Sequence, residues 1–301
     1  MIKDVKQNWQ LYLLGLPGIV VLIIFSFIPM FGHVLAFKRY TVTKGFFNSP
    51  WCGLENFKFF FGSNAWLQIT WNTLFLNVLF ITGTILMALV TAIFINEISN
   101  AFFKRVVQSF VFLPYFVSWL VVSLMVFALL NGTDGMVNNM LKARGWDSIP
   151  FYQTPGLWPA LLTFIYIWKF SGYYSIIFLA AIIGISQDYY DSANIDGAGK
   201  WKQIWYITLP LLKPTVITLL LLCIGRIFYG DFGMIYGIIG DNGVLFPTTD
   251  VIDTYSFRAL RQLGDFGVSS AVCLYQSALG FLTIMIFNRV VKKNNPEQAL
   301  F

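Results

Sequence analysis

Six runs of apolar residues divide the sequence, and each is long enough to cross a lipid bilayer as a helix. About 20 consecutive apolar residues span a hydrocarbon core roughly 30 Å thick. Inside lipid a chain must satisfy its own backbone hydrogen bonds, and an α-helix does so within one segment. We therefore predict an all-α, multi-pass membrane protein with one domain over residues 1–301. Its transmembrane helices are expected at about residues 11–37, 68–95, 106–130, 158–185, 215–239 and 269–289.

The composition agrees with a membrane protein and excludes several other classes. Hydrophobic residues make up 57% of the chain and charged residues only 11%, against about 25% charged residues in soluble proteins. The net charge of +6 comes from scattered lysines and arginines, so we expect membrane lipid and no nucleic acid as a partner. The three cysteines lack metal-site spacing and His33 is the only histidine. The chain therefore shows neither a metal site nor the residue cluster of an enzyme.

The first run and the number of runs predict how the chain is oriented. Lys3 and Lys6 precede the first run as in a signal peptide, but the run is longer than a signal h-region, so we expect a retained helix. Six spans place both termini and the loop at residues 186–214 on one side of the membrane. Lysine and arginine are denser on that side, which predicts that it is cytoplasmic.

Two spans depart from a plain apolar helix. Small and polar residues form a stripe along the second span, where helices meet or water enters; they are Thr70, Thr73, Asn77, Thr84, Ala88 and Thr91. In the third span Pro114 should bend the helix, with neighbouring groups satisfying the carbonyl that it frees. We also expect a short helix along the surface at about residues 250–263, within the third outer loop.

Charged residues lie inside the fourth and fifth spans. Lys169 and Arg226 are expected roughly 16 Å deep, at about 1.5 Å per residue, and Asp231 follows Arg226 by one to two turns. Charges at this depth face protein or a watery cavity. Lys169 and Asp231 could form a structural ion pair, or the charges could line a path for a solute. On the fifth span the glycines share the face of Arg226 and allow close helix packing; they are Gly230, Gly233, Gly237 and Gly240.

The loop at residues 186–214 has a helical pattern of its own. Asp191 lies in a first short helix, for which Gly197 is suited as a left-handed end. A second pattern follows, whose apolar residues are Trp201, Ile204, Trp205 and Ile207. Pro210 and Pro214 are expected to stop this second helix before the fifth span. Two short helices bent at a glycine suit docking into the groove of a partner better than they suit chemistry.

This loop resembles the cytoplasmic loop of the membrane subunits of ABC importers. That loop reads Glu-Ala-Ala, three residues, Gly, nine residues, Ile, any residue, Leu-Pro. The matching residues, including a core similar to that of the carbohydrate branch, are Asp191, Ser192, Ala193, Asp196, Gly197, Ala198, Ile207, Leu209 and Pro210. Asp191 replaces the usual Glu and Ser192 the first Ala, so the charge is kept on a side chain one methylene shorter. Residues 53–57 also resemble the first outer loop of sugar permeases.

The resemblance implies a type I ABC importer permease (MetI-like) fold in the plasma membrane of a bacterium, and a role in importing sugars or oligosaccharides. It implies three kinds of protein partner: a second permease, usually a different homologous chain, two cytosolic ATPases, and an extracellular solute-binding protein. The matched loop residues would contact the ATPases. The sequence lacks a Gly-x-x-x-x-Gly-Lys-[Ser/Thr] loop, so we expect no cofactor in this chain and ATP bound by the partner subunits.

A sugar permease needs a translocation path, and aromatic rings near the buried charges are candidates because such rings stack on the C–H faces of sugars. The predicted path residues are Trp168, Lys169, Tyr173, Arg226, Tyr229, Asp231 and Tyr236. If the three charged residues all line the path, the excess positive charge favours an acidic oligosaccharide over a neutral one.

A secondary solute transporter without an ATPase is the alternative function. That class shows paired broken helices and coupling-ion carboxylates near the midplane. Asp231 is the only such carboxylate that the sequence offers, which favours the ABC importer.

Overall fold

The structure, a computed structural model, describes residues 8–294, and its regular elements are helical over that range. The α-helices are α1 (Trp9–Leu22), α2 (Ile28–Met30), α3 (Gly45–Asn48), α4 (Glu55–Gly62), α5 (Ala65–Glu97), α6 (Ala101–Phe112), α7 (Trp119–Leu130), α8 (Met136–Ala143), α9 (Trp158–Ile183), α10 (Gln187–Ile195), α11 (Lys200–Gln203), α12 (Leu209–Ile224), α13 (Phe232–Ile239), α14 (Phe246–Thr249), α15 (Ile252–Arg261) and α16 (Phe266–Asn294). Ile23–Phe27 and Ile204–Thr208 are π-helical, and the 3₁₀ turns are Phe31–Phe37, Leu113–Phe116, Phe151–Gln153 and Pro155–Leu157.

Five helical stretches of the described chain are long and apolar enough to cross a membrane. They are Tyr12–Phe37, Ala65–Glu97, Pro155–Ile183, Lys200–Ile224 and Phe266–Lys293. A bent pair, Ala101–Phe116 with Trp119–Leu130, makes a sixth if it is one broken span. These stretches overlap the six apolar runs of the sequence, and an all-α, multi-pass membrane protein is confirmed.

The described residues pack as two compact units, one containing the chain up to Trp66 with Tyr255–Tyr275, and the other Leu67–Thr254 with the residues from Gln276 onwards. In the first unit Asn56 joins two segments, since its Nδ2 donates to the carbonyls of Ala36 at 2.9 Å and Lys38 at 3.1 Å. Arg39 and Glu55 form an ion pair at 2.6 Å. The guanidinium holds the pKa of the Glu55 carboxyl below its usual value.

The third span breaks sharply near Pro114. After α6 the chain makes a 3₁₀ turn, extends at Val117, and restarts as α7 with a bend of 95°. Proline lacks the N–H that a continuing helix needs. Ser118 supplies the new N-cap, because its Oγ accepts from the N–H of Val121 at 3.4 Å.

The fifth span is interrupted as well, and here the prediction of one continuous helix is wrong. α12 ends at Ile224 and α13 begins at Phe232, with residues 225–231 outside any helix. Asp231 starts α13 as its N-cap, since its Oδ1 accepts from the N–H of Met234 at 3.2 Å. Arg226 and Gly230 therefore do not share a helix face with Gly233 and Gly237.

The prediction that prolines stop the loop helix before the fifth span is also wrong. Lys200–Ile224 is one continuous helical stretch. The N–H of Leu209 bonds to the carbonyl of Ile204, five residues back, so a π-helical turn precedes Pro210. Pro210 then lies in the first turn of α12, directly after this π-helical turn.

Most of the polar stripe of α5 is buried, and only Thr70 and Thr91 at its two ends are half-buried. Thr73 is fully buried, and its Oγ1 accepts from the N–H of Ile252 at 3.0 Å. Val251 and Ile252 are fully buried too. The short helix predicted to lie along the surface, α15, therefore begins inside the protein, because Thr73 satisfies an N–H of its first turn.

Candidate functional site

A cavity of about 560 Å³ opens between α5, α9 and the interrupted fifth span. Its lining combines polar, aromatic and charged groups with a few aliphatic side chains. The lining residues are Asn77, Ile81, Tyr166, Phe170, Tyr173, Tyr174, Ile177, Leu219, Leu222, Cys223, Arg226, Tyr229, Gly230, Asp231 and Phe232. All belong to the second compact unit.

One wall of the cavity is a row of aromatic side chains on α9. Tyr166 is stacked on Phe80 with ring centroids 4.6 Å apart. Tyr173 is stacked on Tyr115 at 4.7 Å. Such contacts fix the rings in place, which suits faces that a sugar ring could stack against. Of this wall only Tyr173 is among the predicted path residues; the spacing of four residues from Tyr166 to Phe170 to Tyr174 is the sequence signal for the others.

Arg226 provides an available positive charge in the cavity. It lies in the non-helical segment 225–231, its side chain is exposed, and it lines the cavity. Among the described residues no hydrogen bond or ion pair engages its guanidinium. The planar guanidinium carries five N–H donors in a geometry that matches a carboxylate. The arrangement is therefore suited to binding an anionic group.

Asp231 lines the same cavity, but protein donors already engage both of its oxygens. Oδ1 accepts from the N–H of Met234, and Oδ2 accepts from Nε1 of Trp119 at 3.0 Å. Trp119 follows the break of the third span. One carboxylate thus ties the two interrupted spans together.

Lys169 lies outside the set of residues that line the cavity. Its side chain is only 5% exposed, and its Nζ donates to the carbonyls of Pro114 at 3.3 Å, Tyr115 at 3.0 Å and Val117. Within the described residues its ammonium is satisfied by these carbonyls rather than by an ion pair with Asp231. A cation at the carbonyl end of a helix is favourable, so Lys169 stabilises the break at Pro114.

Replacing Lys169 by methionine should therefore disturb assembly rather than selectivity. Methionine keeps the volume but removes the donor of three carbonyls; that of Pro114 keeps the N–H of Val117, while those of Tyr115 and Val117 lose the bond from Lys169, and each unsatisfied buried group costs about 1–3 kcal/mol. We expect lower amounts of protein in the membrane and a lower unfolding temperature, with transport of acidic and neutral substrates falling in parallel. Arg289→Met, near the end of α16, is the control. A selective loss of one substrate at normal protein levels would contradict this role.

Two other predicted path residues also lie away from the cavity lining. Trp168 is on α9 and is 37% exposed. Tyr236 donates its hydroxyl to Oδ2 of Asp241 at 3.2 Å and stacks on Phe232. The glycines of α13 do allow close packing, as predicted, since a Cβ on Gly233 would lie 2.9 Å from Trp119 and one on Gly237 would lie 3.6 Å from Ser123.

The loop that carries the importer-like pattern ends its first helix as predicted. Gly197 has φ +74°, a conformation that side chains disfavour. Its N–H donates to the carbonyl of Asn194 at 3.1 Å, and the N–H of Ala198 donates to that of Ala193 at 2.8 Å. This pair of bonds is the Schellman motif that closes a helix.

Hydrogen bonds within the loop join its second half to the end of α10, while the side chains of α10 stay largely exposed. The buried Gln203 donates to Oδ1 of Asn194 at 2.6 Å and to the carbonyl of Ala198 at 3.0 Å. Ile195, in contrast, is 88% exposed, and Asp191 is exposed on the same short helix. A short helix that presents the apolar side chain of Ile195 and the carboxylate of Asp191 can bind in a groove of another protein.

Comparisons with known proteins agree with this loop and this fold. Residues 84–295 match the family described as "Binding-protein-dependent transport system inner membrane component". The chain is 33% identical to "Protein LplB" of Bacillus subtilis over 97% of its length and 91% of that protein. It is equally identical to the "Polygalacturonan/rhamnogalacturonan transport system permease protein YteP" of the same species, with coverage of 99% and 92%.

The fold also matches a solved structure along nearly its whole length. The chain is 32% identical to a chain of "a bacterial ABC transporter involved in the import of the acidic polysaccharide alginate", with a TM-score of 0.88 and coverage of 97% of this chain and 98% of that one. A second structure, of a bacterial alginate ABC transporter "in complex with alginate pentasaccharide-bound periplasmic protein", matches with a TM-score of 0.86 at the same identity and covers 96% of that chain.

These matches decide between the two transport classes that the sequence left open. Interrupted third and fifth spans are a feature that secondary transporters also show, so the fold alone would not separate the classes. The family match covers the loop between the fourth and fifth spans as well as the spans around it. The chain therefore belongs to the binding-protein-dependent inner membrane components, the permease subunits of ABC importers, and is a transport protein rather than an enzyme.

Proposed function

We propose that this permease carries acidic oligosaccharides, delivered by an external binding protein, into the cell through the cavity beside Arg226. The observation that carries the proposal is the exposed Arg226 guanidinium on the cavity wall, which no described residue engages. Aromatic rings of α9 line the same cavity. Rings for the sugar faces and one guanidinium for a carboxylate together fit a uronate-containing chain.

The structure alters the basis on which the sequence favoured an acidic substrate. Three charged residues with a positive excess were expected in the path, but Lys169 is bonded to backbone carbonyls and Asp231 to Trp119 and Met234. These bonds are to neutral groups and leave both charges in place, but of the three charged residues Arg226 alone lines the cavity with charged donors that no described residue engages. Its effect is strong because the effective dielectric constant in a protein cavity is lower than in water.

The relatives support an anionic substrate for this chain. One solved relative imports alginate, which its description calls an acidic polysaccharide. A second relative is named for polygalacturonan, a polymer of uronic acid. A third, 28% identical over 96% of this chain, is the sn-glycerol-3-phosphate permease UgpA of Salmonella typhimurium. All three named substrates are negatively charged.

The complete importer would contain a second permease, two ATPases and the binding protein. α10 would dock into an ATPase through Asp191 and Ile195, and residues 186–214 and both chain termini would then lie in the cytoplasm. The second permease, a different homologous chain, would close the open side of the cavity.

Transport measurements on the reconstituted complex test the proposal. Proteoliposomes containing both permeases and the ATPases, supplied with the binding protein and internal ATP, are expected to take up a uronate oligomer in preference to its carboxyl-reduced counterpart of equal length. ATP-dependent uptake that favours the neutral oligomer would overturn the acidic substrate and leave sugar import standing. Uptake that is independent of ATP would overturn the importer itself.

A further inference from the structure

The non-helical segment at residues 225–231 frees backbone groups inside a predicted membrane span. Such groups must find partners within the protein, because lipid supplies none. Several find them locally: the N–H of Arg226 bonds to Cys223, that of Ile227 to Ile224 and that of Tyr229 to Arg226, all at 3.0 Å or less. The N–H of Gly230 and the carbonyl of Phe228 are bonded by side chains from elsewhere.

Asp253 and Gln276 supply those two bonds. Oδ2 of Asp253 accepts from the N–H of Gly230 at 2.6 Å. Nε2 of Gln276 donates to the carbonyl of Phe228 at 2.8 Å and also to Oδ2 of Asp253 at 2.9 Å. The three bonds form one connected unit, which we call the latch, between the first turn of α15, the middle of α16 and the segment.

The fit around the latch is close. A Cβ on Gly230 would lie 2.9 Å from Val251 and 3.0 Å from Oδ2 of Asp253. Glycine is needed there so that the backbone can approach the carboxylate. Gln276 is only 4% exposed, so its amide is held in a single place.

The segment that the latch holds faces the cavity. Arg226, Tyr229, Gly230 and Asp231 all line the cavity from this segment. Tyr229 is fixed by the same part of α16, since its hydroxyl donates to Oγ of Ser277 at 3.3 Å. A continuous helix would satisfy its own backbone with no latch, but it would turn these residues to different directions. The latch therefore determines the position of the Arg226 guanidinium in the cavity.

We infer that Asp253 and Gln276 are positioning residues that hold Arg226 in place for the carboxylate of the substrate, an inference that rests on the proposed function. Neither residue touches the substrate. They act through the backbone at Phe228 and Gly230, so their loss should weaken selection of the acidic oligomer as the loss of Arg226 does.

Combining variants tests this in the reconstituted importer. Asp253→Ala and Gln276→Leu are each expected to raise KM for the acidic oligomer about tenfold with little change in maximal rate or in uptake of the reduced oligomer. Asp253→Asn keeps an acceptor for Gly230 and should recover most of the affinity. In an Arg226→Met background neither latch variant should add to the loss. Losses that add fully, or that fall equally on both oligomers, would overturn the positioning role.

A measurement without substrate separates failure of the latch from failure of the proposed function. Cys223 lines the cavity just before the segment, so a chain carrying Cys52→Ser and Cys273→Ser reports its exposure to a charged thiol reagent. Asp253→Ala should change the labelling rate of Cys223 severalfold, and the control Asp134→Asn, in an exposed loop position, should not. An unchanged rate in Asp253→Ala would refute the latch whichever sugar is carried.

Discussion

Replacing Arg226 by methionine is expected to lower the transport efficiency for an acidic oligosaccharide by about 10- to 100-fold. A hydrogen bond to a charged group contributes about 1.5–3 kcal/mol, and about 1.4 kcal/mol corresponds to a factor of ten. The guanidinium is exposed in the cavity and bonded to no described residue, so methionine removes the charge without removing a structural bond. Uptake of the carboxyl-reduced oligomer should stay close to that of the wild type.

Two further variants show whether the charge or the shape of Arg226 matters. Arg226→Lys keeps the charge but not the planar pair of donors, so an intermediate loss is expected. Arg261→Met removes an exposed arginine at the end of α15 and should change neither substrate. Equal losses for the acidic and the reduced oligomer in Arg226→Met, at normal protein levels, would show that Arg226 has no part in selecting the acid.

The six spans were predictable because hydropathy over about 20 residues is a local property of the sequence. The breaks inside them were less so. Pro114 predicted the break in the third span, because proline lacks an N–H at any position in the chain. At residues 225–231 two freed backbone groups are bonded by Asp253 and Gln276, whose positions in sequence give no hint of the contact. A run of apolar residues without proline was therefore taken for one helix.

Lys169 and Arg226 show that the partners of buried charges could not be predicted from the sequence either. Both are basic residues near the middle of a predicted span, and the sequence treats them alike. The structure separates them, because the bend at Pro114 brings carbonyls to Lys169 while the break after Ile224 leaves Arg226 at the cavity. Depth in the membrane can be counted from a sequence, but the partner of a buried charge is set by tertiary contacts.

The loop at residues 186–214 was the most predictable part because its features are close in sequence. The Schellman bonds join residues three and five positions apart, and glycine is the residue that a left-handed helix end favours. The second half of the loop was harder. Pro210 usually ends a helix, and the π-helical turn that lets the chain continue leaves no mark in the sequence that we can identify.

Replacing Gly197 by valine is expected to weaken the contact with the ATPases, and so to lower both stimulated ATP hydrolysis and transport. A residue with a Cβ pays about 1–2 kcal/mol in the left-handed region, and a β-branched one is more strained still. At about 1.4 kcal/mol for each factor of ten, the closed loop end seen here would lose population by about tenfold or more. Nothing lies within 4 Å of a Cβ at this position, so the effect comes from backbone strain and not from a clash.

Gly199 offers a matched control two residues further on. It also has open space around a Cβ, but its φ is −67°, which any residue adopts. Gly199→Val should therefore leave ATP hydrolysis stimulated by the loaded binding protein near the level of the wild type, while Gly197→Val lowers the stimulation about tenfold and weakens co-purification of the ATPases. Both variants should insert into the membrane normally, because the loop is exposed. If Gly197→Val hydrolysed ATP and transported as Gly199→Val does, the bend at Gly197 would have no part in coupling, and the contact with the ATPases would have to be sought elsewhere on the cytoplasmic face.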